Sequence, residues 1–266
     1  MPLSIMERVD LLKTLRRPTI YDYIPLLFTD FTELHGDRYF SDDPAVLGGI
    51  CLFNNVPITI IAHLRAKDIT ELQQINFSMP HPEGYRKSLR LAQQAEKFRR
   101  PVLLFIDTPG AYCGVGAEER GQGEAIARSL YEFMLLEIPV LSIVLGEGGS
   151  GGALAMGVCD ELAMLENSLY SVISPKGFAT ILWKDGGKER EAAELMKITA
   201  EDLYSFGICD HVIAEPEGGA INDITFTASN ISSWLHDALG RLSAEDYQKL
   251  PEKRYAKYRK IGLFHE

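Results

Sequence analysis

A chain of 266 residues, 46% hydrophobic and 24% charged, can bury on the order of 70–75% of the surface its unfolded form exposes, as one large domain or two. Its formal charge of −10 argues against general nucleic-acid binding, which needs clustered Lys and Arg, but not against an anionic small molecule that feels the local field. Cys51, Cys113, Cys159 and Cys209 stand far apart with no C-x-x-C pair, giving neither a zinc-ribbon nor a disulfide signal and reading as reduced thiols in a cytosolic protein.

The N-terminal stretch MPLSIMERVDLLKTLRR has no long apolar core and carries Glu7 and Asp10, so it reads as neither a secretory signal nor a membrane span. Its residues 4–15 predict a short amphipathic helix stopped before Pro18, and a second helix is expected over Tyr21 to Leu34. HGDRYFSDDPA is a polar loop. Ala45 to Phe53 and Pro57 to His63 read as strands joined at a hairpin turn, Asn54-Asn55, and residues 64–82 as irregular. From Glu83 to Arg100 the apolar spacing is helical. The arginines and lysines of this helix fit a solvated face best, with a basic rim for a phosphate-bearing ligand as the rival.

Pro101 opens the strand VLLFID, which enters the loop TPGAYCGVGAEERGQG before a helix ending near Leu136. Pro139 opens a second such strand, and LSIVLGEGGSGGALAMG repeats the theme: buried strand, glycine-rich turn, helix start. This helix must be short, because ELAMLE and SLYSVIS follow as strands. Further helices are expected through Trp183, over Arg190 to Met196, Ala200 to Phe206 and Ile224 to Leu239, with a strand at His211 to Ala214 and a basic, tyrosine-containing tail from Pro251 to Gly262. With no repeat at a solenoid period and no low-complexity linker, one α/β domain over 1–266 with helical ends is the simplest account.

The second glycine loop admits three readings. Gly146-x-Gly148-x-x-Gly151 fits a dinucleotide fingerprint, with Glu166 downstream for a ribose, but leaves room for only about two helical turns. Gly148-x-Ser150-x-Gly152 fits a nucleophile elbow, for which His211, His236 and terminal His265 are the downstream histidines. Ser150 could equally be a helix N-cap. The third reading joins both loops: the strand-to-helix junctions at Gly110-Ala111 and Gly151-Gly152 turn main-chain N–H groups toward one cavity and form an oxyanion hole, suited to enolate or tetrahedral chemistry on thioesters.

GDRYFSDD, NFSMPHPEGYRK, FIDTPGAYCGVGAEERGQGEAIAR, GEGGSGGALA, YSVISPKGFATILWKDG and AAELMKITA together resemble the carboxyltransferase α subunit of bacterial multi-subunit acetyl-CoA carboxylase, over about residues 18–219, and the closing RYAKYRKIG is similar too. The resemblance implies a crotonase/ClpP-like spiral of ββα units. It implies transfer of a carboxyl group from carboxybiotin, on a separate biotin carboxyl carrier protein charged by biotin carboxylase, to acetyl-CoA. It further implies an α2β2 assembly in the cytoplasm with a zinc-ribbon β subunit, no metal in this chain, and no DNA or membrane binding. By motif match, Gly151 and Gly152 are implied as N–H donors toward biotin, with Gly110 and Ala111 lining the cleft and Gly148, Gly149, Ser150, Tyr112 and Gly114 around the cofactor. Glu118 and Glu119 belong to a first helical turn rather than to catalysis. The sequence departs from the family pattern at Cys113 (usually Pro), Lys176 (usually Glu), Ala66 within Arg65-Ala66-Lys67 (usually Gly) and Ser78 (commonly Gly). These departures leave open a paralogue serving another acyl-CoA or a polyketide pathway. A stand-alone hydratase or hydrolase, which would need carboxylates such as Glu118, Glu119 or Glu147, is the alternative from another class.

Overall fold

The structure, a computed structural model, describes residues 3–262. Its strands are β1 (Thr29–Glu33), β2 (Val46–Phe53), β3 (Val56–His63), β4 (Val102–Thr108), β5 (Val140–Gly149), β6 (Glu161–Leu165), β7 (Leu169–Ser171) and β8 (His211–Ile213). The α-helices are α1 (Ile5–Lys13), α2 (Ile20–Leu27), α3 (Ile69–Gln74), α4 (Pro82–Lys97), α5 (Val115–Glu119), α6 (Gln122–Leu135), α7 (Ser150–Leu154), α8 (Pro175–Trp183), α9 (Glu189–Met196), α10 (Ala200–Ser205), α11 (Ile224–Ser243) and α12 (Leu250–Arg259).

The sheet runs β1-β2-β3-β4-β5-β6-β8, with β7 paired to the end of β5. The first two pairings are antiparallel, and β3 onward is parallel. The β2–β3 hairpin turns at Asn54 (φ 49°) and Asn55 (φ 65°), the left-handed pair such a turn demands. Both faces of the parallel strands are covered, which is why β4 and β5 read as unbroken apolar runs. Leu103, Phe105, Leu141 and Ile143 pack with Ile20, Tyr23, Trp234 and Leu235 of α2 and α11. Leu104, Ile106 and Val144 pack with Leu91, Ala92 and Phe133 of α4 and α6. This parallel-rich α/β architecture, with helices at both ends of the described chain, agrees with the crotonase-type expectation.

Three local expectations are corrected. The helix expected over Tyr21 to Leu34 ends at Leu27, and the β-branched stretch from Thr29 pairs with β2 instead, Thr32 opposite Ile50. Residues 64–82 hold α3, whose N-cap Asp68 accepts from Glu71 N–H at 2.8 Å, followed by Asn76, Phe77 and Ser78, all with left-handed φ. The basic stripe from Glu83 to Arg100 is a solvated face only in part: Lys97 and Arg99 are exposed, but Lys87 is buried, donating to Asp42 Oδ1 (2.5 Å) and the Asp43 carbonyl (3.2 Å). The basic C-terminal stretch forms α12, in keeping with the expected helical end, and Arg254 within it is fully buried. Among the described residues no helix is long and apolar enough to cross a membrane, and no group of three or more His, Cys, Asp or Glu could hold a metal ion.

Candidate active site

The C-terminal ends of β4 and β5 lie side by side, Thr108 opposite Gly148, and both chains then break into their glycine loops at the same sheet edge. That edge is where open α/β sheets place ligands. The loops touch. A Cβ built on Gly152 would lie 2.5 Å from Ala111 N and 2.6 Å from the Gly110 carbonyl carbon, closer than real Cβ atoms come. Gly149 is as tight, its Cβ position 2.0 Å from the Pro109 oxygen. Only glycine lets the second loop nest on the first.

Above this contact opens a cavity of about 560 Å³. Gly110, Ala111, Gly149, Ser150, Gly151 and Gly152 line it; Val9, Leu12 and Lys13 of α1 and the segment 171–175 form other walls. The first N–H groups of α7 have no partner within the helix, and those of Gly151 and Gly152 make no hydrogen bond outside it among the described residues. A Cβ at Gly151 would meet nothing nearer than Ile126 Cγ2 at 3.8 Å.

Buried charge braces the loops from behind. Arg17 Nη2 donates to Asp107 Oδ1 at 2.5 Å, and that oxygen also accepts from Glu147 N–H at 3.1 Å. Burial favours the neutral carboxyl, yet the guanidinium groups of Arg17 and Arg65 outweigh it and hold Asp107 below its ordinary range. Glu147 borders the cavity, and burial raises its pKa against the opposing pull of Arg65, whose Nη1 lies 3.5 Å from its carboxylate. In the first loop Gly110 N–H donates to Thr108 Oγ1 (3.1 Å), which donates in turn to the Ser78 carbonyl (2.6 Å).

Three residues expected around the cofactor do not line the cavity. Gly148 lies under Tyr170, its Cβ position 2.6 Å from that ring. Tyr112 stacks on His81 with ring centroids 4.2 Å apart and donates its N–H to the Pro80 carbonyl. Gly114 caps α5 against the Tyr112 ring. Ser150 is not the N-cap: Gly149 holds that position, and Ser150 sits at φ 52°, exposed, with no capping bond. No histidine among the described residues hydrogen-bonds to it. His211 stacks toward Trp234, His236 lies on α11, and His265 is outside the described residues. The dinucleotide reading fails on length, α7 having five residues, and on Glu166, whose carboxylate accepts from Glu215 N–H. Glu118 and Glu119 are exposed on α5. The bracing ion pair Arg17–Asp107 carries no local pattern by which sequence could mark it, since its members stand 90 positions apart.

Comparison with solved structures places the chain among crotonase-type carboxyltransferase folds. It superposes on a transcarboxylase 12S chain, solved with methylmalonyl-coenzyme A and methylmalonic acid bound, with TM-score 0.71 and 16% identity over 92% of this chain. The match spans 45% of that chain's length. A Pseudomonas malonate decarboxylase hetero-dimer chain matches with TM-score 0.60 and 17% identity over 81% of this chain and 88% of that one. Within that fold the family is specific: the profile described as acetyl co-enzyme A carboxylase carboxyltransferase-like matches residues 1–262, and the chain belongs to that family. It is 54% identical over 264 residues to the acetyl-coenzyme A carboxylase carboxyl transferase subunit alpha of Clostridium acetobutylicum, covering 99% of this chain and 96% of the relative. To the same subunit of Bacillus cytotoxicus it is 56% identical over 260 residues, covering 98% and 80%.

Proposed function

We propose that the chain is the α subunit of an acetyl-CoA carboxylase carboxyltransferase. With a β subunit it transfers the carboxyl group of carboxybiotin, borne on a carrier protein, to acetyl-CoA and yields malonyl-CoA for fatty acid synthesis. The observation that carries this reading is the nesting of Gly152 on Gly110-Ala111 beneath a cavity, in a chain 54–56% identical to α subunits.

The donor set suits a ureido oxygen. It consists of main-chain N–H groups at a helix start, beside a glycine whose missing Cβ leaves room for close approach. Carboxybiotin supplies the carboxyl group and, once relieved of it, a ring nitrogen able to take the proton from the acetyl methyl. Gly151 and Gly152 hold the oxygen on which negative charge gathers. Gly110 and Ala111 form the facing wall, and the Arg17–Asp107 pair fixes both loops so that the dipoles need no reorganisation. Gly149 and Ser150 border the cofactor, while Tyr112, Gly114 and Gly148 act by packing. Residues 1–266 act as one domain, in the cytoplasm, within an α2β2 assembly served by a biotin carboxyl carrier protein and biotin carboxylase.

The test is reconstitution. The purified chain alone is expected to form no malonyl-CoA from acetyl-CoA and carboxybiotin, and to do so when its cognate β subunit is added. Malonyl-CoA formation by the chain alone would overturn the need for a β subunit, and hydration or hydrolysis of an acyl-CoA by the chain alone would favour a stand-alone hydratase or hydrolase.

A further inference from the structure

A second hollow, about 260 Å³, lies between α4, α6 and the loop that carries Asp37 and Arg38. It borders a different face of α6, at Glu124 and Arg128, from the one that Ile126 presents to the first cavity. Four arginines edge it, Arg38, Arg86, Arg90 and Arg128, against the carboxylates of Asp37 and Glu124. In a chain of formal charge −10 this is a local reversal of sign.

Their hydrogen bonds separate these arginines into two kinds. Arg86 is committed: its guanidinium donates to Asp37 (2.8 Å), Glu83 (2.8 Å) and the Arg120 carbonyl (3.0 Å). Asp37 is committed with it, accepting also from the N–H groups of Tyr39 and Phe40. Arg38 and Arg90 form no carboxylate ion pair among the described residues. Arg38 Nη1 donates to the His35 carbonyl at 2.7 Å, and Arg90 Nε and Nη2 to the carbonyls of Gly36 (3.0 Å) and His35 (3.3 Å). Burial, and then the neighbouring charge of Arg38, pull the pKa of Arg90 down, and the carboxylates of Asp42 and Asp37 offset this only in part. Arg128 is loosely held, 4.0 Å from Glu124 and 3.6 Å from Glu132. Arg38 stands at φ 65°, a left-handed backbone that a side chain rarely adopts.

We propose that this hollow binds a phosphate group, gripped by the guanidinium N–H groups of Arg38, Arg90 and Arg128. Planar guanidinium forks match phosphate oxygens in bidentate fashion, and an anion there adds a direct counter-charge to Arg38 and Arg90, which form no carboxylate ion pair among the described residues. The phosphate comes either from the nucleotide end of a coenzyme A thioester or from free phosphate or pyrophosphate. The site rests on its own geometry rather than on the carboxyltransfer reading.

Calorimetric titration of inorganic pyrophosphate into the full chain at low ionic strength tests it without any turnover. Saturable binding is expected, weakened roughly tenfold by Arg38→Ala and by Arg128→Ala, each removing one charge-assisted contact. Both side chains are exposed, so the fold is retained. Arg241→Ala, which removes an exposed arginine elsewhere, is expected to change nothing. Displacement by coenzyme A but less well by its 3′-dephospho form assigns the source to the coenzyme, and displacement by neither assigns it to free phosphate; the site stands in both cases. Absence of saturable binding, or equal loss in Arg241→Ala, overturns it.

Discussion

Arg254 of α12 and Asp160, just before β6, form a two-pronged ion pair in the interior, Nε to Oδ1 at 3.0 Å and Nη2 to Oδ2 at 2.9 Å. The same guanidinium donates to the carbonyls of Phe133, Met134, Leu136 and Ile138, so it closes the C-terminal end of α6, which has no glycine cap. Arg254→Ala would leave Asp160 without its ion-pair partner, held only by Val140 N–H and the nearby charge of Lys257, and several carbonyls buried without this donor. A loss of about 3–5 kcal/mol is expected from breaking such a pair, read as a lowered urea midpoint. Arg254→Lys should recover only part, because an ammonium cannot span those acceptors. Unchanged midpoints in both variants would refute this account of α12.

Arg254 also marks where the sequence stops being legible. Buried strands were readable because apolar runs such as VLLFID sit between Pro101 and a glycine loop, and both faces of the sheet are covered. The two glycine junctions were readable as a pair because each follows such a run, and the structure brings them into contact. Which glycines face the cavity was not readable. Gly148 and Gly151 look alike in sequence, but one lies under Tyr170 and the other opens on the cavity. Charges were misread wherever the partner was distant: Lys87 and Arg254 look like surface residues until Asp42 and Asp160 are brought to them. The Thr29–Glu33 edge strand is lost in a helical pattern, since five residues of which none is buried carry little period-two signal.

Ser78 is buried at φ 62°, and its hydroxyl has no hydrogen-bond partner among the described residues. Its carbonyl holds Thr108 and through it the first glycine loop. Ser78→Gly removes left-handed strain and an unpaired hydroxyl, offset in part by the freer unfolded chain. A net gain of about 1 kcal/mol is expected, raising Tm by roughly 2–4 °C, with turnover retained. A lower Tm would mean that the serine hydroxyl has a stabilising role.

His63 is buried beside Asp107, and burial lowers its pKa from 6.5 to about 4 even though the Asp107 charge pulls the other way. Its Nδ1 accepts from Asp107 N–H at 3.4 Å. The folded chain therefore keeps this ring neutral while the unfolded chain binds a proton below pH 6.5. Stability from this residue is intact above pH 6.5 and falls as the pH drops toward 4, by about 3 kcal/mol in all. Urea midpoints measured from pH 7 to pH 4.5 should fall more steeply for the native chain than for His63→Gln. Parallel curves would exclude the histidine as a source of the slope.

The sharpest test of the cavity compares three neighbours. Gly152→Val must push apart the Gly110-Ala111 peptide, since even a Cβ lies 2.5 Å from Ala111 N; its turnover is expected to collapse, but so could its fold. Gly151→Ala separates the two effects. Its Cβ meets no protein atom closer than 3.8 Å, so the chain should fold and assemble with β normally while a methyl is added to the cavity lining beside the proposed donors. Gly151→Ala keeps its main-chain N–H and acts only by a methyl that holds a ligand oxygen off that donor; full loss of one oxyanion donor costs ~2.7–4 kcal/mol, about a hundred- to thousandfold in rate, so a drop of up to that order is expected. Ser150→Ala removes a hydroxyl that caps nothing and has no histidine partner among the described residues, leaving the rate near normal. Each variant is assayed with β after assembly is confirmed by gel filtration. If Ser150→Ala lost turnover while Gly151→Ala kept it, the main-chain donors would be the wrong machinery and a serine nucleophile would take their place.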